Sequence, residues 1–527
     1  MRLDDTALLR ASAPPADVSH GAPQLGGSVG PDSFGAAPCD PPEASWRGFD
    51  PAAAFDLVVV GSGPAGQAAA LEGAAAGARV LMVERERRVG GACVQRGTIP
   101  SKTLREAAAA LKAFGRRTGG VYEVVAPAHL RIESLLTRLH GVLDGYQDSL
   151  AARLRLAGVE ICQGRARLGP SGARHTVELL LPDGATRVVT GTSVVLSSGS
   201  RPRNPSDVPI DHENVLDSDS ILTLSYLPES LVVLGAGVIA CEYATTFAAL
   251  GVRVTVVDKG AMPLGFCDAD VSRRLVDSLD ALGASYRGGR RAASVEFDGL
   301  EVVTTLDDGQ VLRSEKLLFA LGRESCVDGL GLEQADVRLG SRGTIEADAW
   351  GATSVPGIYA CGDVVGPPAL ATTSAEQGRR AALHALGLAG PEAPGFESVP
   401  VGIYTIPEIG QVGLTEAEAR ARHGDVLVGW ARYDECARGH IAGGEPGFLK
   451  LVAAGERLVG VHAVGEGAAE LVHIGQLAMA AGWSTDRLID TVFNFPTLAE
   501  GYRIAAMDLR RQRVPRRILS VCAGSQR

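Results

Sequence analysis

The chain has 527 residues, with 51 Lys and Arg against 61 Asp and Glu and a formal net charge of -10. That length allows two to four domains with large cores, and the acidic balance argues against nucleic acid as a main partner. No unbroken apolar run reaches about 18 residues, so no membrane-spanning helix is expected; nine cysteines without a CxxC pair fit a reducing, cytoplasmic setting rather than a disulfide scaffold, and no metal site is expected.

Residues 1–54 are rich in Pro, Gly, Ala and Ser and lack helix or strand periodicity. Such a segment buries too little apolar surface to offset its ordering entropy, so a disordered extension is expected. Ala7-Leu8-Leu9 is too short for the apolar core of a secretory signal, and Asp4 and Asp5 precede it. The first strand, Asp56 to Val60, runs into Gly61-Ser62-Gly63-Pro64-Ala65-Gly66, an Ala-rich helix to about Ala76, and a second strand, Ala78 to Val83, that ends at Glu84. In this strand, glycine turn, helix, strand, acid order, Gly61 permits the tight turn and Gly63 lets the backbone approach a pyrophosphate. Gly66 lets the helix pack on the sheet, and the helix N-terminus faces the anion. Glu84 stands 23 residues after Gly61, the distance at which an acid hydrogen-bonds a ribose hydroxyl.

The next segment is Gly90-Gly91-Ala92-Cys93-Val94-Gln95-Arg96-Gly97-Thr98-Ile99-Pro100-Ser101-Lys102. Strand Val194 to Ser200 follows it. The dinucleotide unit then recurs: Leu231 to Leu234, Gly235-Ala236-Gly237-Val238-Ile239-Ala240, a helix, Val252 to Val257, and Asp258. An acid here favours the 2′-hydroxyl of NAD and repels the 2′-phosphate of NADP, although Lys259 softens that preference. Strand Leu317 to Arg323, with Gly322, comes next. The apolar strand of Gly357-Ile358-Tyr359-Ala360-Cys361-Gly362-Asp363 sets a carboxylate at the carboxyl end of a strand, where open α/β sheets bind ligands. Near the C-terminus stands Phe493-Asn494-Phe495-Pro496-Thr497-Leu498-Ala499-Glu500, and Arg510, Arg511, Arg513, Arg516 and Arg517 open a basic end read as a solvated tail.

These segments together resemble the flavoprotein disulfide reductases, the class I pyridine nucleotide-disulfide oxidoreductase or dihydrolipoamide dehydrogenase-like family, over around 440 residues. The resemblance implies an α/β fold: two doubly wound Rossmann-like domains plus a C-terminal α+β dimerisation domain. It divides the chain into the extension 1–54, an FAD domain at 55–200 and 325–395, an NAD(P) domain at 201–324, a dimerisation domain at 396–510 and the tail 511–527. It assigns FAD to Gly61, Gly63, Gly66, Glu84, Ser101, Lys102, Gly362 and Asp363. The exchanging nicotinamide falls to Gly235, Gly237, Asp258 and Gly322, and a homodimer or higher homo-oligomer is implied. The family lysine beside the flavin matches Lys102, and its glutamate partner matches Glu242. A positive charge there stabilises the reduced ring, and the glutamate orients it.

Two departures from the family separate this chain from its thiol chemistry. The family carries a second cysteine five residues after the first, and that position is Thr98, so Cys93 has no disulfide partner in the loop. The family's C-terminal His-Pro-Thr-x-x-Glu has Phe495 in place of its acid/base histidine, leaving Glu500 without a partner. Loss of such a group costs on the order of 10²–10⁴ in rate. Cys93 is a candidate for a charge-transfer contact or a sulfenic acid, but is read in the first place as a packing residue.

Both changes resemble the soluble pyridine nucleotide transhydrogenase branch, which keeps Gly-Thr-Ile-Pro-Ser-Lys and an aromatic residue before the C-terminal Pro-Thr. The likeness spans roughly 55–510 and includes Asp217 to Leu222, Pro400 to Glu408 and Ala468 to Gln476, where His473 reads as a core or interface histidine. It implies hydride transfer from NADPH to NAD⁺ through FAD in a ping-pong cycle that needs no disulfide. The alternatives are an NAD(P)H-dependent reductase of quinones or another non-thiol acceptor, and a catalytically silent FAD-binding sensor whose sensing thiol is Cys93.

Overall fold

The computed structural model describes residues 54–118, 132–170, 172–392, 395–396, 398–444 and 446–513. The expected N-terminal extension lies outside these residues but for Ala54. The first sheet grows from β1 (Ala54–Val60), followed by α1 (Pro64–Ala75) and β2 (Val80–Glu84). Val58, Val59, Leu81 and Met82 are fully buried, as expected of parallel strands covered on both faces. A short helix α2 (Gly91–Gln95) and a long pair, α3 (Thr98–Thr118) and α4 (Ile132–Leu156), lead to β3 (Glu160–Gln163), β4 (Arg165–Leu168), β5 (His175–Leu180) and β6 (Thr186–Leu196). The strand order is β3-β2-β1-β6-β5-β4. β6 runs parallel to β1 from Thr190 to Leu196 and antiparallel to β5 from Thr186 to Gly191.

The chain crosses to a second sheet through β7 (Ser200–Pro202) and β8 (Val215–Leu216). It continues with β9 (Ser230–Leu234), α5 (Val238–Ala249), β10 (Arg253–Asp258), α6 (Ala269–Ala281) and β11 (Ser285–Gly288). A three-stranded antiparallel sheet follows: β12 (Ala292–Phe297), β13 (Val302–Leu306) and β14 (Val311–Ser314). Then β15 (Lys316–Phe319) completes the parallel order β11-β10-β9-β15-β8. β16 (Arg323–Ser325) pairs antiparallel with β7, and β17 (Ile358–Ala360) returns to the first sheet beside the second half of β6. α7 (Ala371–Ala385) packs against α1, where a Cβ on Gly378 would overlap the Ala65 carbonyl.

The C-terminal unit is an antiparallel sheet ordered β18-β19-β22-β21-β20. Its strands are β18 (Val401–Ile403), β19 (Ile409–Gly413), β20 (Leu427–Arg432), β21 (Phe448–Ala454) and β22 (Arg457–Val464). Its helices are α8 (Glu416–His423), α9 (Ala437–Ile441), α10 (Ala468–Ala480), α11 (Thr485–Asp490) and α12 (Gly501–Arg513). Tyr502 is fully buried in its core. Its hydroxyl donates to the Leu471 carbonyl at 2.7 Å and accepts from the Gly475 amide at 3.0 Å, which satisfies a polar group that burial would otherwise penalise. The expected fold class holds.

Three sequence expectations differ in detail. The strands read at Val194–Ser200 and Leu317–Arg323 each break at a glycine, Gly199 (φ 73°) and Gly322 (φ 117°), so the chain leaves one sheet and restarts as β7 or β16 in the link. α12 runs past the expected domain end at 510 to Arg513, whose Nη2 donates to the Gly455 carbonyl and to Thr485 Oγ1, each at 2.7 Å, and the rest of the expected tail lies outside the described residues. His473, read as a core or interface residue, is not in the protomer's core: it is exposed on α10 and bonds Gln476 at 2.9 Å.

Candidate active site

The two glycine turns are built alike. β1 ends at Val60 and Gly61 turns with φ 102°, close against the Ser197 carbonyl. A Cβ on Gly66 would strike the Gly61 carbonyl, whereas one on Gly63 would meet nothing within 4 Å. Gly63 is also the N-cap of α1, without a side-chain cap, so the helix N-terminus opens on free space as an anion cradle requires. Gly237 repeats this at α5, uncapped and with open space beside it. The acids at the strand ends brace both turns. Glu84 Oε2 accepts from the Ser62 amide at 3.0 Å and Oε1 from the Glu86 amide at 2.9 Å. Asp258 Oδ2 accepts from the Ala236 amide at 3.1 Å and Oδ1 from the Gly260 amide at 2.6 Å. Each carboxylate therefore holds its glycine turn as well as facing the end of its strand.

The candidate site residues converge where the start of α3, the first turns of α5 and the start of the C-terminal unit meet. Lys102 Nζ donates to Glu242 Oε2 at 2.6 Å. Their side chains are 23% and 8% exposed, so removing either partner would leave the other charge shielded from water and unpaired. Glu242 Oε1 accepts from the Tyr404 amide at 2.8 Å. Burial pushes the Cys93 thiol up, and this outweighs the hydrogen bond from Thr98 and the charge of Lys102, while the charge of Asp363 raises it further. Asp363 is fixed by the Ser200 hydroxyl, which donates to Oδ2 at 2.6 Å and in turn accepts from Arg323 Nε at 2.8 Å. The Gly362 amide donates to Gln377 Oε1 at 2.8 Å.

A model described as pyridine nucleotide-disulphide oxidoreductase matches residues 55–378, and its dimerisation-domain companion matches residues 399–506. The chain belongs to the pyridine nucleotide-disulphide oxidoreductase family. It is an oxidoreductase, and relatives that cover most of its length are named soluble pyridine nucleotide transhydrogenases. One from Mycobacterium bovis is 44% identical over 86% of this chain and 97% of its own length. Another, from Marinomonas sp., is 38% identical over 86% and 98%. The crystal structure of LpdA from Mycobacterium tuberculosis superposes with a TM-score of 0.80 at 28% identity, covering 87% of this chain and all of that one.

Against the family pattern, the structure brings Cys93, Thr98, Lys102, Glu242 and Asp363 into one neighbourhood. Ser101 lies beside Lys102 but turns its hydroxyl back to the Thr98 carbonyl at 3.2 Å. Glu500 is not part of this group in the protomer. It sits in the single turn before α12, near Cys436, and bonds none of these residues. Phe495 is 66% exposed. Gly322 lies in the link before β16, with open space around it. Sequence reasoning missed Tyr404, Ser200, Arg323, Gln377 and Arg105. Tyr404 stood inside the segment Pro400 to Glu408, and Ser200 and Arg323 closed the two link strands. Gln377 bonds Gly362 only 15 positions away, but the others have partners more than a hundred positions away, which nothing local marks.

Proposed function

We propose that the protein is an FAD-dependent NAD(P)⁺ transhydrogenase that moves hydride from NADPH to NAD⁺. The observation that carries this reading is the Lys102–Glu242 pair, intact at 2.6 Å, beside a loop with one sulfur and a threonine. The parts for handling a flavin remain while the parts for handling a dithiol are gone. The residues present fit FAD: the space beside Gly63 at an uncapped helix suits a pyrophosphate, and Asp363 is presented by Ser200 and Arg323 at a strand end. Gly61, Gly66, Glu84, Ser101, Lys102 and Gly362 complete the set that would hold it. When bound, FAD supplies a relay that takes hydride from one nicotinamide and returns it to another, which makes the exchange ping-pong.

The protein's own task is placement and charge. Lys102, oriented by Glu242, holds a cation where negative charge develops. Gly235, Gly237 and Asp258 form the cradle for the exchanging nicotinamide nucleotides, used first by NADPH and then by NAD⁺. Asp258 is turned inward onto the Ala236 and Gly260 amides, and Lys259 beside it is exposed, a setting that supports acceptance of both nucleotides. A homodimer is part of the reading. Leu477, Val492 and Phe495 are 68%, 91% and 66% exposed, and apolar side chains left open within a dimerisation domain support a covering partner. Glu500 would act from that interface. No helix among the described residues is long and apolar enough to cross a membrane, and a cytoplasmic setting is proposed with the rest.

The test is anaerobic stopped-flow. The flavoprotein is reduced with NADPH and then mixed with a thio-analogue of NAD⁺, and flavin and nicotinamide absorbance are followed. Reduction and reoxidation both at least as fast as turnover are expected. Fast reduction without return of hydride would sink the proposal in favour of a quinone or other acceptor, and a flavin that no nicotinamide reduces would point to a silent sensor.

A further inference from the structure

The Lys102 ammonium has a second neighbour besides Glu242. Its Nζ lies 5.2 Å from the centroid of the Tyr404 ring, within the range at which an aromatic face attracts a cation. Tyr404 begins the short link between β18 and β19, and this link is stitched to the two helices that carry Lys102 and Glu242. On the α5 side, the Tyr404 amide donates to Glu242 Oε1 at 2.8 Å, and one turn later the Ile406 amide donates to Thr245 Oγ1 at 3.1 Å. On the α3 side, Arg105 Nε and Nη2 donate to the Thr405 carbonyl at 3.3 and 3.1 Å, and Arg105 Nη1 pairs with Glu408 at 2.9 Å. Arg105 is 7% exposed, so these bonds are shielded from water. Among the described residues the Tyr404 hydroxyl makes no hydrogen bond, which leaves the ring as the part that acts.

We infer that Tyr404 is a positioning residue for Lys102. Its ring and the Glu242 carboxylate confine the ammonium from two directions, and the C-terminal unit thereby sets where the site's cation points. Glu242 alone leaves Lys102 free to swing about one contact, because a lysine carries several rotatable bonds. The ring removes that freedom without adding a competing charge. This inference rests on the proposed flavin at Lys102.

The experiment compares the holoenzyme with Y404F and Y404L. Lysine acetylation at low extent is read by mass spectrometry, with exposed Lys112 and Lys259 as internal references among the five lysines of the chain. Flavin reduction by NADPH is followed in parallel over a range of pH. In Y404L, Lys102 acetylation relative to Lys112 is expected to rise and the limiting rate of flavin reduction to fall, each by about 3- to 30-fold, the factor that a cation–aromatic contact commands. NADPH affinity is expected to hold, and Y404F to restore both values. If Y404L matches Y404F in both readouts, the inference is overturned. If Y404L loses its flavin or its fold, Y404M, which keeps apolar bulk without a ring, repeats the comparison. A parent flavin that no nicotinamide reduces would overturn the functional reading, whereas the acetylation result would still decide the place of Tyr404.

Discussion

Cys93 and Thr98 occupy positions where the family keeps two sulfurs. Burial raises the Cys93 thiol more than Thr98 and Lys102 lower it. A raised pKa leaves less thiolate at neutral pH, and the thiolate is the reactive form. Iodoacetamide should therefore alkylate Cys93 more slowly than a free thiol at about pH 7.5, with a rate that climbs as pH rises past the ordinary cysteine value of about 8.5. Because the exchange we propose uses no sulfur, Cys93→Ser should keep NADPH-to-NAD⁺ turnover within about threefold of the parent, less than 1 kcal/mol on the barrier. A steady-state loss beyond about tenfold would give the sulfur a part in the chemistry. The absence of a second sulfur was legible in the sequence. The state of the remaining one was not, because burial is a property of everything packed around it.

The glycine turns make a sharper case for elements. Gly66 and Gly63 lie three residues apart, yet a Cβ would collide with the Gly61 carbonyl at one and meet nothing within 4 Å at the other. Gly66→Ala should force the turn off α1 and destabilise the first unit by about 1–3 kcal/mol, the usual range for overpacking. Gly63→Ala should leave far-ultraviolet circular dichroism and Tm near parental, yet lower the ratio of flavin to protein absorbance, since its methyl enters the space offered to the pyrophosphate. Equal Tm losses in both variants would contradict this division. Both βαβ units were readable because their strands are apolar runs and their turns carry glycine at fixed spacing. The breaks at Gly199 and Gly322 escaped notice, since an apolar run reads as continuous until its partner strands are known.

At the scale of the molecule, a buried ion cluster fastens the second nucleotide unit to the C-terminal sheet. Lys450 on β21 is 1% exposed and its Nζ reaches Asp268 Oδ1 at 2.8 Å, Asp270 Oδ2 at 2.6 Å and Glu416 Oε2 at 2.7 Å. Burial alone would raise Asp268, but the Lys450 hydrogen bond and the Glu416 amide outweigh it and hold the carboxyl low. Burial would lower Lys450, and the carboxylates reverse that as well. A depressed carboxyl stabilises above its unfolded value and loses the contribution as pH falls through the folded one. A raised lysine stabilises below its unfolded value and loses the contribution as pH climbs through the folded one. Lys450→Met should cost about 3–5 kcal/mol, the penalty for leaving buried charge unpaired, with somewhat less expected because Asp270 and Glu416 are partly exposed. Calorimetry should show a Tm gap from the parent that is steady between about pH 5 and pH 9 and shrinks below about pH 4, where the carboxylates protonate. A gap indifferent to acid would remove the cluster from the account.

The sequence by itself determined the two glycine-turn βαβ units, their order, Lys102 after the Cys93 loop and the loss of the thiol pair. Each of these is written in a contiguous stretch, where residue type and spacing carry the physics: glycine where a turn or a phosphate needs room, apolar runs where strands are covered on both faces, a missing sulfur where chemistry would need one. The tertiary structure decided what those residues touch. Tyr404 reaches Lys102 and Glu242 from the C-terminal unit, Ser200 joins Asp363 to Arg323 across the link, and Lys450 meets three carboxylates from two other elements. A contact between residues a hundred or more positions apart depends on how sheets and helices are laid against one another, and no local pattern records that.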